Sequence, residues 1–344
     1  MTHRGRIRIA DVAREAGVSS GTVSRVLNPR QNPSVKISDA TCQKVLEAAK
    51  RLGYQTNPFA SALRTQRTGV ICAIIRDIND PFLSLMAREF QRIAHAQGVE
   101  LLMGHAEYDL ETVRRQLTFM RNWFDGLLII GDMPGDQTVL EELRASGTPF
   151  VAVACGTKGI TPFVNIDEER GTRLGLEYLY ALGHRRIGFI GSTNHAGIRE
   201  RWATFQQFIE EKSMIWADGY LQPCSYTRIA SIGAIQRILS LPTPPTAVLC
   251  TSDLQALGAV SGAWQMGWRV PEAISIMGFD DVEEATDTFP ALTTIRQPVG
   301  EMARQAMSLL TSLIEDPSRA DQMSGVIVEP RLMVRRSCSP SYTP

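Results

Sequence analysis

The sequence predicts a small all-α head followed by a larger α/β domain, in which two lobes are built on parallel sheets. Three observations carry this prediction. The first residues contain short amphipathic helices separated by glycine and serine. From Gly69 onward, apolar runs of strand length alternate with helical segments in two successive series. The first 67 residues hold 12 Lys and Arg against 4 Asp and Glu, so a basic head precedes an acidic body.

The head begins with two short predicted helices. Apolar residues at positions 9, 12, 13 and 16 share one face of a helix over Ile9–Ala16. Gly17 suits a left-handed turn, and Ser19 or Ser20 is a candidate cap for a second helix over Ser20–Leu27. Two helices joined in this way are typical of the helix-turn-helix, whose second helix enters the major groove of DNA. A small helical cap on a larger domain is the alternative.

A third helix and the basic charge favour the DNA-binding alternative. Ser38 is the expected N-cap of this helix, and Val45, Leu46, Ala49 and Leu52 fall on one of its faces. A basic head supplies attraction to DNA phosphates. We therefore predict a helix-turn-helix DNA-binding domain.

The amino-acid sequence of the head resembles that of the lactose/galactose repressor family of bacterial transcriptional regulators. The resemblance is carried by Asp11-Val12-Ala13, Ala16-Gly17-Val18-Ser19, Thr22-Val23-Ser24-Arg25-Val26, Leu52-Gly53-Tyr54 and Asn57-Pro58 with Ala60 and Leu63. Further segments that are similar to this family are Arg170–Gly175, Ala181–Ile187, Ser275–Asp281 and Pro290–Ile295. The resemblance runs from about Arg8 to Arg335.

The resemblance implies DNA contacts from the second helix and from a hinge helix that forms on operator DNA. Arg25 suits either two hydrogen bonds to guanine or a phosphate contact, whereas Gly21 has no side chain with which to read a base. Leu63 is expected to wedge into the minor groove, the alternative being an ordinary contact with Phe59. The loop 28–37 looks longer than in short-loop members. The candidate DNA-binding residues are Ser19, Ser20, Gly21, Thr22, Ser24, Arg25, Asn28, Tyr54, Asn57, Ala60 and Leu63.

Beyond the head, the alternation of strands and helices predicts parallel sheets of βαβ units. Strands are expected at Val70–Ile75, Val99–Met103, Gly126–Ile130, Phe150–Val153, Arg186–Ile190, Ala247–Cys250 and Ile274–Met277. Helices are expected at Phe82–Ala96, Glu111–Arg121, Gln137–Ala145, Arg170–Leu182, Arg201–Lys212 and Gln255–Met266. Segments at Leu292–Ile295, Met302–Ile314 and Val326–Val334 are expected to cross back and complete both lobes.

The resemblance implies the two-lobed shape of periplasmic binding proteins, with an effector between the lobes. The expected domain limits are 1–56 for the head, 57–66 for the hinge helix and linker, and 67–344 for the effector-binding and dimerisation domain. Within that domain, the first lobe is expected at about 69–165 plus 297–324. The second lobe is expected at about 166–293 plus 325–340.

Ligands of parallel α/β domains bind beyond the carboxyl ends of strands, which selects the candidate effector residues. An Arg fork suits a carboxylate or ring oxygens, a carboxylate accepts neighbouring hydroxyls, and Phe82 or Trp202 offers an aromatic face. A bare ion pair between Arg201 and Asp280 is the alternative. Ser252 stands where members of the family often carry an Asn, and Ala154 stands where some sugar-binding members carry an acid. The candidate effector-binding residues are Asp80, Phe82, Arg201, Ser252 and Asp280.

Composition and motifs restrict the class of protein. No apolar run approaches the roughly 20 residues of a membrane span, no signal peptide is evident, and six scattered cysteines are typical of a reduced, cytoplasmic protein. We expect no cofactor and no metal. No P-loop, GxGxxG after a strand, HExxH or GxSxG is present, and the five His residues form no readable catalytic set, so we predict no enzyme.

We therefore predict a transcriptional repressor whose operator affinity is controlled by a sugar, sugar acid or related metabolite. Its expected partners are near-palindromic double-stranded operator DNA, the effector and a second copy of the chain, with no membrane. The resemblance places the homodimer surface on Phe82–Ala96 and Gln255–Met266, and without a heptad tail we expect no tetramer. The protein is expected in the cytoplasm, associated with the nucleoid when bound to DNA. The rivals are a secreted solute-binding protein, a sugar- or nucleotide-modifying enzyme, and a DNA binder with a vestigial cleft.

Overall fold

The computed structural model describes residues 7–27, 37–54, 67–120, 123–132, 136–156, 162–192 and 196–341. The chain divides into two compact units, Met1–Thr68 and Gly69–Pro344. The predicted hinge helix over 57–66 lies outside the described residues, as do four candidate DNA contacts: Asn28, Asn57, Ala60 and Leu63.

The head consists of three described helices, α1 (Ile9–Ala16), α2 (Ser20–Leu27) and α3 (Asp39–Leu52). Gly17 ends α1 with φ of +68°, which a residue without Cβ adopts at low cost. Val12, Val23 and Val45, one from each helix, are fully buried and form the centre of a small core. The predicted helix-turn-helix is confirmed.

One residue was wrongly assigned to the buried face of α3. Leu46 is 53% exposed, whereas Ala48 is fully buried beside Val45. Positions 45, 48, 49 and 52 lie on the i, i+3, i+4, i+7 face, and position 46 is turned about 100° away from position 45. The apolar character of Leu46 misled the assignment of that face.

The first lobe contains a six-stranded parallel sheet. Its elements in chain order are β1 (Val70–Ile75), α4 (Pro81–Gln97), β2 (Glu100–His105), α5 (Leu110–Met120), β3 (Gly126–Ile130), α6 (Asp136–Ala145), β4 (Phe150–Val153) and β5 (Phe163–Ile166). The strand order is β11-β5-β4-β3-β1-β2, where β11 (Val326–Val328) arrives from the far end of the chain. Of the three central strands, β3 and β4 are buried along their whole lengths and β1 is buried from its second residue onward, which explains why they are continuous apolar runs.

The second lobe repeats the design. Its elements are α7 (Glu168–Ala181), β6 (Ile187–Ile190), α8 (Ala196–Glu211), β7 (Leu221–Gln222), α9 (Arg228–Leu239), β8 (Ala247–Cys250), α10 (Asp253–Gln265), β9 (Ser275–Asp280), α11 (Glu284–Asp287) and β10 (Thr293–Arg296). The strand order is β12-β10-β9-β8-β6-β7, and β12 (Arg331–Met333) pairs antiparallel with β10. The predicted fold class, a helical head with a two-lobed α/β domain on parallel sheets, is confirmed.

The chain passes between the lobes three times. It crosses from β5 to α7, from β10 to α12 (Val299–Glu315), and from β11 to β12. We expected 325–340 to lie in the second lobe, but Val326–Val328 pairs with Phe163–Ile166 of the first sheet. The predicted single segment Val326–Val334 is therefore two short strands of different sheets, separated at Glu329-Pro330. Proline lacks the N–H that a continuing strand would donate.

Four of the elements named above were not predicted, namely β5, β7, α9 and the one-turn helix α11. β7 has only 2 residues and the apolar run of β5 is interrupted by Asn165, so neither forms an apolar run of strand length. By contrast, α9 carried a readable signal, because Thr227 caps it and Ile232, Ile235, Ile238 and Leu239 recur at helical spacing. No helix among the described residues could serve as a membrane span.

Candidate functional site

The head presents a polar surface along α2. Ser20, Gly21 and Arg25 are exposed, while Val23 on the opposite side is fully buried. Burial of that one valine orients the helix, so its small polar face is directed outward with a single guanidinium. Such a face lets a helix approach the floor of a DNA groove closely.

The remaining candidate residues of the described head have structural contacts. Ser19 Oγ accepts a hydrogen bond from the backbone N–H of Thr22 at 3.1 Å and bonds to the Thr22 hydroxyl at 3.0 Å, so these two residues form the cap of α2. Ser24 is half-buried, and Tyr54 packs against the core of the head. Their contacts with DNA stay a prediction.

A cavity of about 160 Å³ lies between the two lobes. Three of the five predicted effector residues, Phe82, Arg201 and Asp280, line it together, and Asp80 and Ser252 do not. Its polar and charged lining residues are Arg76, Asp132, Asn165, Glu168, Glu200, Arg201, Tyr226, Asp280 and Gln297. Six of these nine residues are charged, and they come from both lobes.

Arg201 is buried, with 6% of its surface exposed, and it is paired with Glu168. Its Nε donates to one Glu168 carboxylate oxygen at 2.6 Å and its Nη2 to the other at 3.1 Å, while Nη1 donates to the carbonyl of Thr251. The guanidinium carbon lies 3.5 Å from the centroid of the Phe279 ring. The alternative pairing of Arg201 with Asp280 is not the one found, since the partner is Glu168.

Asp80 does not line the cavity, and its carboxylate makes structural hydrogen bonds instead. One carboxylate oxygen accepts from the backbone N–H groups of Phe82 and Leu83, which caps α4. The other accepts from Arg76 Nη2 at 2.6 Å. Arg76 Nη1 also donates to Asp132 at 3.2 Å, so the guanidinium of Arg76 is held between two carboxylates. Asp80 orients a lining residue and does not itself reach the cavity.

Ser252 is the N-cap of α10 and is fully buried. Its Oγ accepts from the backbone N–H of Gln255 at 3.2 Å. The cap of α10 is thus Ser252 and not the neighbouring Asp253. The Asp253 carboxylate instead accepts from the Thr294 hydroxyl and the Val282 N–H.

Asp280 ends β9 on the floor of the cavity, and its backbone φ is +125°, in a region that residues with a Cβ rarely adopt. A carboxylate oxygen accepts from Gln297 Nε2 at 2.7 Å, which ties it to the crossing from β10 to α12. Burial raises the pKa of Asp280 well above the usual value, and the nearby positive charge of Arg201 opposes that rise. Backbone strain of this kind concentrates at ligand-binding sites.

Comparison with known proteins identifies the family. Residues 8–57 match the family described as bacterial regulatory proteins, lacI family, and residues 176–338 match the periplasmic binding protein-like domain. The HTH-type transcriptional repressor CytR of Escherichia coli K12 is 34% identical over 318 residues, which cover 92% of this chain and 89% of CytR. The chain belongs to the LacI family. It is a DNA-binding transcriptional regulator of that family and not an enzyme.

Two further comparisons support the LacI assignment. Catabolite control protein A of Priestia megaterium is 33% identical over 315 residues, covering 89% of this chain and 92% of that protein. The crystal structure of the Lac repressor dimer bound to operator and the anti-inducer ONPF superposes with a TM-score of 0.85 at 24% identity, covering 97% of this chain and 99% of that chain. At this identity the structural likeness shows the fold alone.

The cleft of this LacI-family protein also contains residues that the sequence reasoning missed. Arg76 directly follows β1, and Asp132 follows β3, so both satisfied the rule of carboxyl strand ends that selected the other candidates. Glu168 follows β5, a strand that we did not predict, and Gly197 leaves room for its carboxylate because a Cβ there would lie 2.8 Å from it. Tyr226 lies in an irregular segment with no signal of this kind.

Trp202, the other aromatic candidate, belongs to a separate cluster. Its ring stacks on Phe205 and contacts Phe189 and Trp216, and it does not line the cavity. The aromatic lining of the cleft comes from Phe82, Phe163 and Tyr226. No cluster of acidic, His or Cys side chains suited to a metal ion occurs within the described ranges.

Proposed function

We propose that this protein is a repressor that binds a near-palindromic operator as a homodimer, and that a small molecule held between its lobes controls operator affinity. The observation that carries the proposal is the exposed polar face of α2, with Arg25 and two small residues set opposite the buried Val23. The comparisons support it, since CytR is a repressor and the Lac repressor structure is a dimer on operator. While bound to chromosomal DNA, the protein would be associated with the nucleoid.

On the DNA side, the proposal assigns base reading mainly to Arg25. A guanidinium donates two hydrogen bonds to the O6 and N7 atoms of guanine, whereas a serine reads bases loosely and a glycine reads none. The 12 Lys and Arg of the first 67 residues supply attraction to phosphate in any sequence. We infer that Ser19, Thr22 and Ser24 position the helix on phosphates. We also infer that the hinge segment with Asn57 and Ala60 contacts the operator and that its Leu63 wedges into the minor groove.

On the effector side, the lining of the cavity comes from both lobes. Arg76 of the first lobe lies 5.5 Å from the ring centroid of Tyr226 in the second. A ligand that contacts both walls favours one relative arrangement of the lobes, and this differential affinity is what shifts a conformational equilibrium. Coupling to the operator requires on the order of 1–3 kcal/mol.

Exposed apolar side chains support pairing of two chains through α4 and α10. Ile78 and Met103 lie beside α4 and are each 50% exposed, and Trp264 and Met266 are exposed at the end of α10. Sedimentation of the purified protein should give two chains per particle. Met103→Asp should shift the protein toward monomer, whereas Phe119→Asp, a matched change at an exposed residue of α5, should leave it dimeric. A dimer that survives the first change and not the second would place the interface elsewhere.

Selection from a pool of randomised duplex DNA tests the operator. The full-length protein should enrich an inverted repeat, because a two-fold symmetric dimer presents two identical heads. Arg25→Ala should lose about 5- to 150-fold in affinity, since one bidentate base contact discriminates by about 1–3 kcal/mol. It should also lose preference at one position of each half-site. A uniform loss on every sequence would instead assign Arg25 to phosphate.

A thermal-shift screen of sugars, sugar acids, sugar phosphates and nucleosides tests the effector. A ligand at 100 times its dissociation constant stabilises the folded state by about 2.7 kcal/mol, which is readily measured. Binding should be lost in Asp280→Ala, and the ligand should change affinity for the selected DNA. If a cleft ligand binds without changing DNA affinity, the gating part of the proposal is wrong.

A further inference from the structure

We propose that the cleft accepts an uncharged, hydroxyl-rich ligand and rejects anions such as sugar acids and phosphate esters. This inference rests on the proposed function, because it takes the cleft to be the effector site. It narrows the sequence-based expectation, in which the fork of Arg201 suited a carboxylate as well as ring oxygens. The reason for the narrowing is that both arginines of the cleft already have carboxylate partners.

The charge of Arg201 is neutralised from within its own lobe. Glu168 accepts from both its Nε and its Nη2 in a fork-to-fork pair, and Thr251 takes a third N–H. Such bidentate pairs are the strong form of charge-assisted hydrogen bond. An anionic ligand would have to displace Glu168 and leave that carboxylate buried without its partner. The N–H bonds left over on Arg201 suit neutral oxygens.

The charge of Arg76 is neutralised in the same way by Asp80 at 2.6 Å and Asp132 at 3.2 Å. Arg76 differs in one respect. Its Nε–H is buried and donates to no atom among the described residues. A buried donor without an acceptor is destabilising, and this N–H adds no charge that would attract an anion.

Over the whole described lining of the cavity, acidic side chains outnumber basic ones. Asp132, Glu168, Glu200 and Asp280 face the cavity with only two arginines, so acids outnumber bases even when Asp280 holds its proton. Each further negative charge would enter a buried, acidic surrounding, where like charges repel more strongly than in water. An anion therefore meets repulsion that no unpaired cation of the described lining offsets.

Hydroxyl groups match the polar atoms that remain. Asp280 accepts from Gln297 and, as a carboxyl group, retains further acceptor capacity, while Arg201 has N–H bonds beyond the three that are already donated. A hydroxyl donates to the first and accepts from the second. The side-chain amide of Asn165 is occupied, because it bonds both to the N–H of Cys155 at 3.1 Å and to its carbonyl at 2.8 Å. Phe82, Phe163 and Tyr226 supply faces for the apolar side of a ring.

Matched pairs of ligands test the inference on the full-length protein. The probes are ribose with ribose 5-phosphate, glucose with gluconate, and uridine with uridine 5′-monophosphate, measured by thermal shift and titration calorimetry at low salt. At least one uncharged member should bind, and its anionic counterpart should bind about tenfold or more weakly, since a charged group denied its partner costs at least 1.4 kcal/mol. An anion that binds as well as its uncharged counterpart overturns the inference.

The failure of the inference is distinguishable from failure of the proposed function. Binding by an anion leaves the effector role intact and contradicts only the ligand class. If no ligand of any pair binds to a protein that still selects an inverted repeat from random DNA, the effector role is contradicted. The inference then fails with it.

A charge change in the cleft tests the physical reason directly. Glu168→Gln keeps a side chain of the same size beside Arg201 and removes the charge that neutralises it, so the preference for the uncharged ligand should narrow by about tenfold. Glu169→Gln is the matched control: Glu169 is exposed on the same helix and pairs with Arg173, away from the cavity, so the preference should not change. An unchanged preference in Glu168→Gln overturns the argument. If that variant fails to fold, Asp132→Asn applies the same test to Arg76.

Discussion

The head and the cleft use arginine in opposite ways. Arg25 is exposed on the outer face of α2, in a unit with an excess of positive charge. Arg76 and Arg201 are each 6% exposed and each paired with buried carboxylates. A guanidinium that is to bind DNA is exposed to water until it binds, whereas a guanidinium with neutralised charge acts as a fixed donor of hydrogen bonds. The difference assigns the anionic partner, DNA, to the head and the uncharged partner to the cleft.

The largest effect is expected from breaking the pair of Arg201 and Glu168. Arg201→Met leaves the Glu168 carboxylate, whose side chain is 14% exposed, without a partner, and should lower the free energy of unfolding by about 3–5 kcal/mol. Glu168→Leu combined with Arg201→Met removes both charges and should recover part of that loss, as for other buried pairs replaced by apolar residues. Urea denaturation monitored by fluorescence measures both. A double variant no more stable than Arg201→Met would show that packing, and not charge, sets the cost.

A buried acid of the second lobe should make the stability of the protein depend on pH. Burial raises the pKa of Asp253 from 3.8 to about 7, although hydrogen bonds from Thr294 and Val282 oppose the rise. Between about pH 4 and pH 7 the unfolded chain has released this proton while the folded protein retains it, so the free energy of unfolding should fall as pH rises, by up to about 4 kcal/mol.

Asp253→Asn tests that assignment, because an amide does not titrate and retains hydrogen-bonding groups toward Thr294 and Val282. The variant should show a shallower fall of unfolding free energy across the same pH range. The residual slope belongs to other buried acids, of which Asp280 is the nearest candidate, since burial raises its pKa as well. A slope identical to that of the unsubstituted protein would mean that Asp253 is ionised throughout.

The same contrast explains how much the sequence could predict. In the head, the decisive contacts span three residues, as between Ser19 and Thr22 or Ser38 and Thr41, so helix limits and caps could be predicted from local pattern. In the cleft, partners are 33 residues apart for Arg201 and Glu168 and 56 apart for Arg76 and Asp132. Strand ends identified Arg201 and Asp280, but the pairing of each guanidinium depends on sheet order, which a single sequence does not reveal.

The cap of α2 gives a smaller, purely local effect. Ser19→Ala removes the acceptor for the Thr22 N–H and should lower the stability of the head by about 1 kcal/mol. Ser38→Ala at the start of α3 is the matched change, with a longer bond of 3.4 Å from the Thr41 N–H, and should cost no more. Thermal unfolding followed by circular dichroism at 222 nm measures both. Loss of effector binding in either variant would contradict the local character of these contacts.

The smallest effect on stability is expected at an exposed Arg–Glu ion pair, which has the same groups as the pairs of the cleft but is open to solvent like Arg25 of the head. Arg88 on α4 and Glu283 after β9 form an ion pair between the lobes at 2.6 Å, and their side chains are 60% and 73% exposed. Arg88→Gln should change the free energy of unfolding by less than about 1 kcal/mol, because solvent screens an exposed pair. Effector affinity, measured by calorimetry, should likewise change by less than about fivefold, since a contact worth so little cannot shift the lobes by more. If Arg88→Gln altered affinity tenfold or more while stability stayed constant, this rim pair and not the buried arginines would set the balance between the lobes.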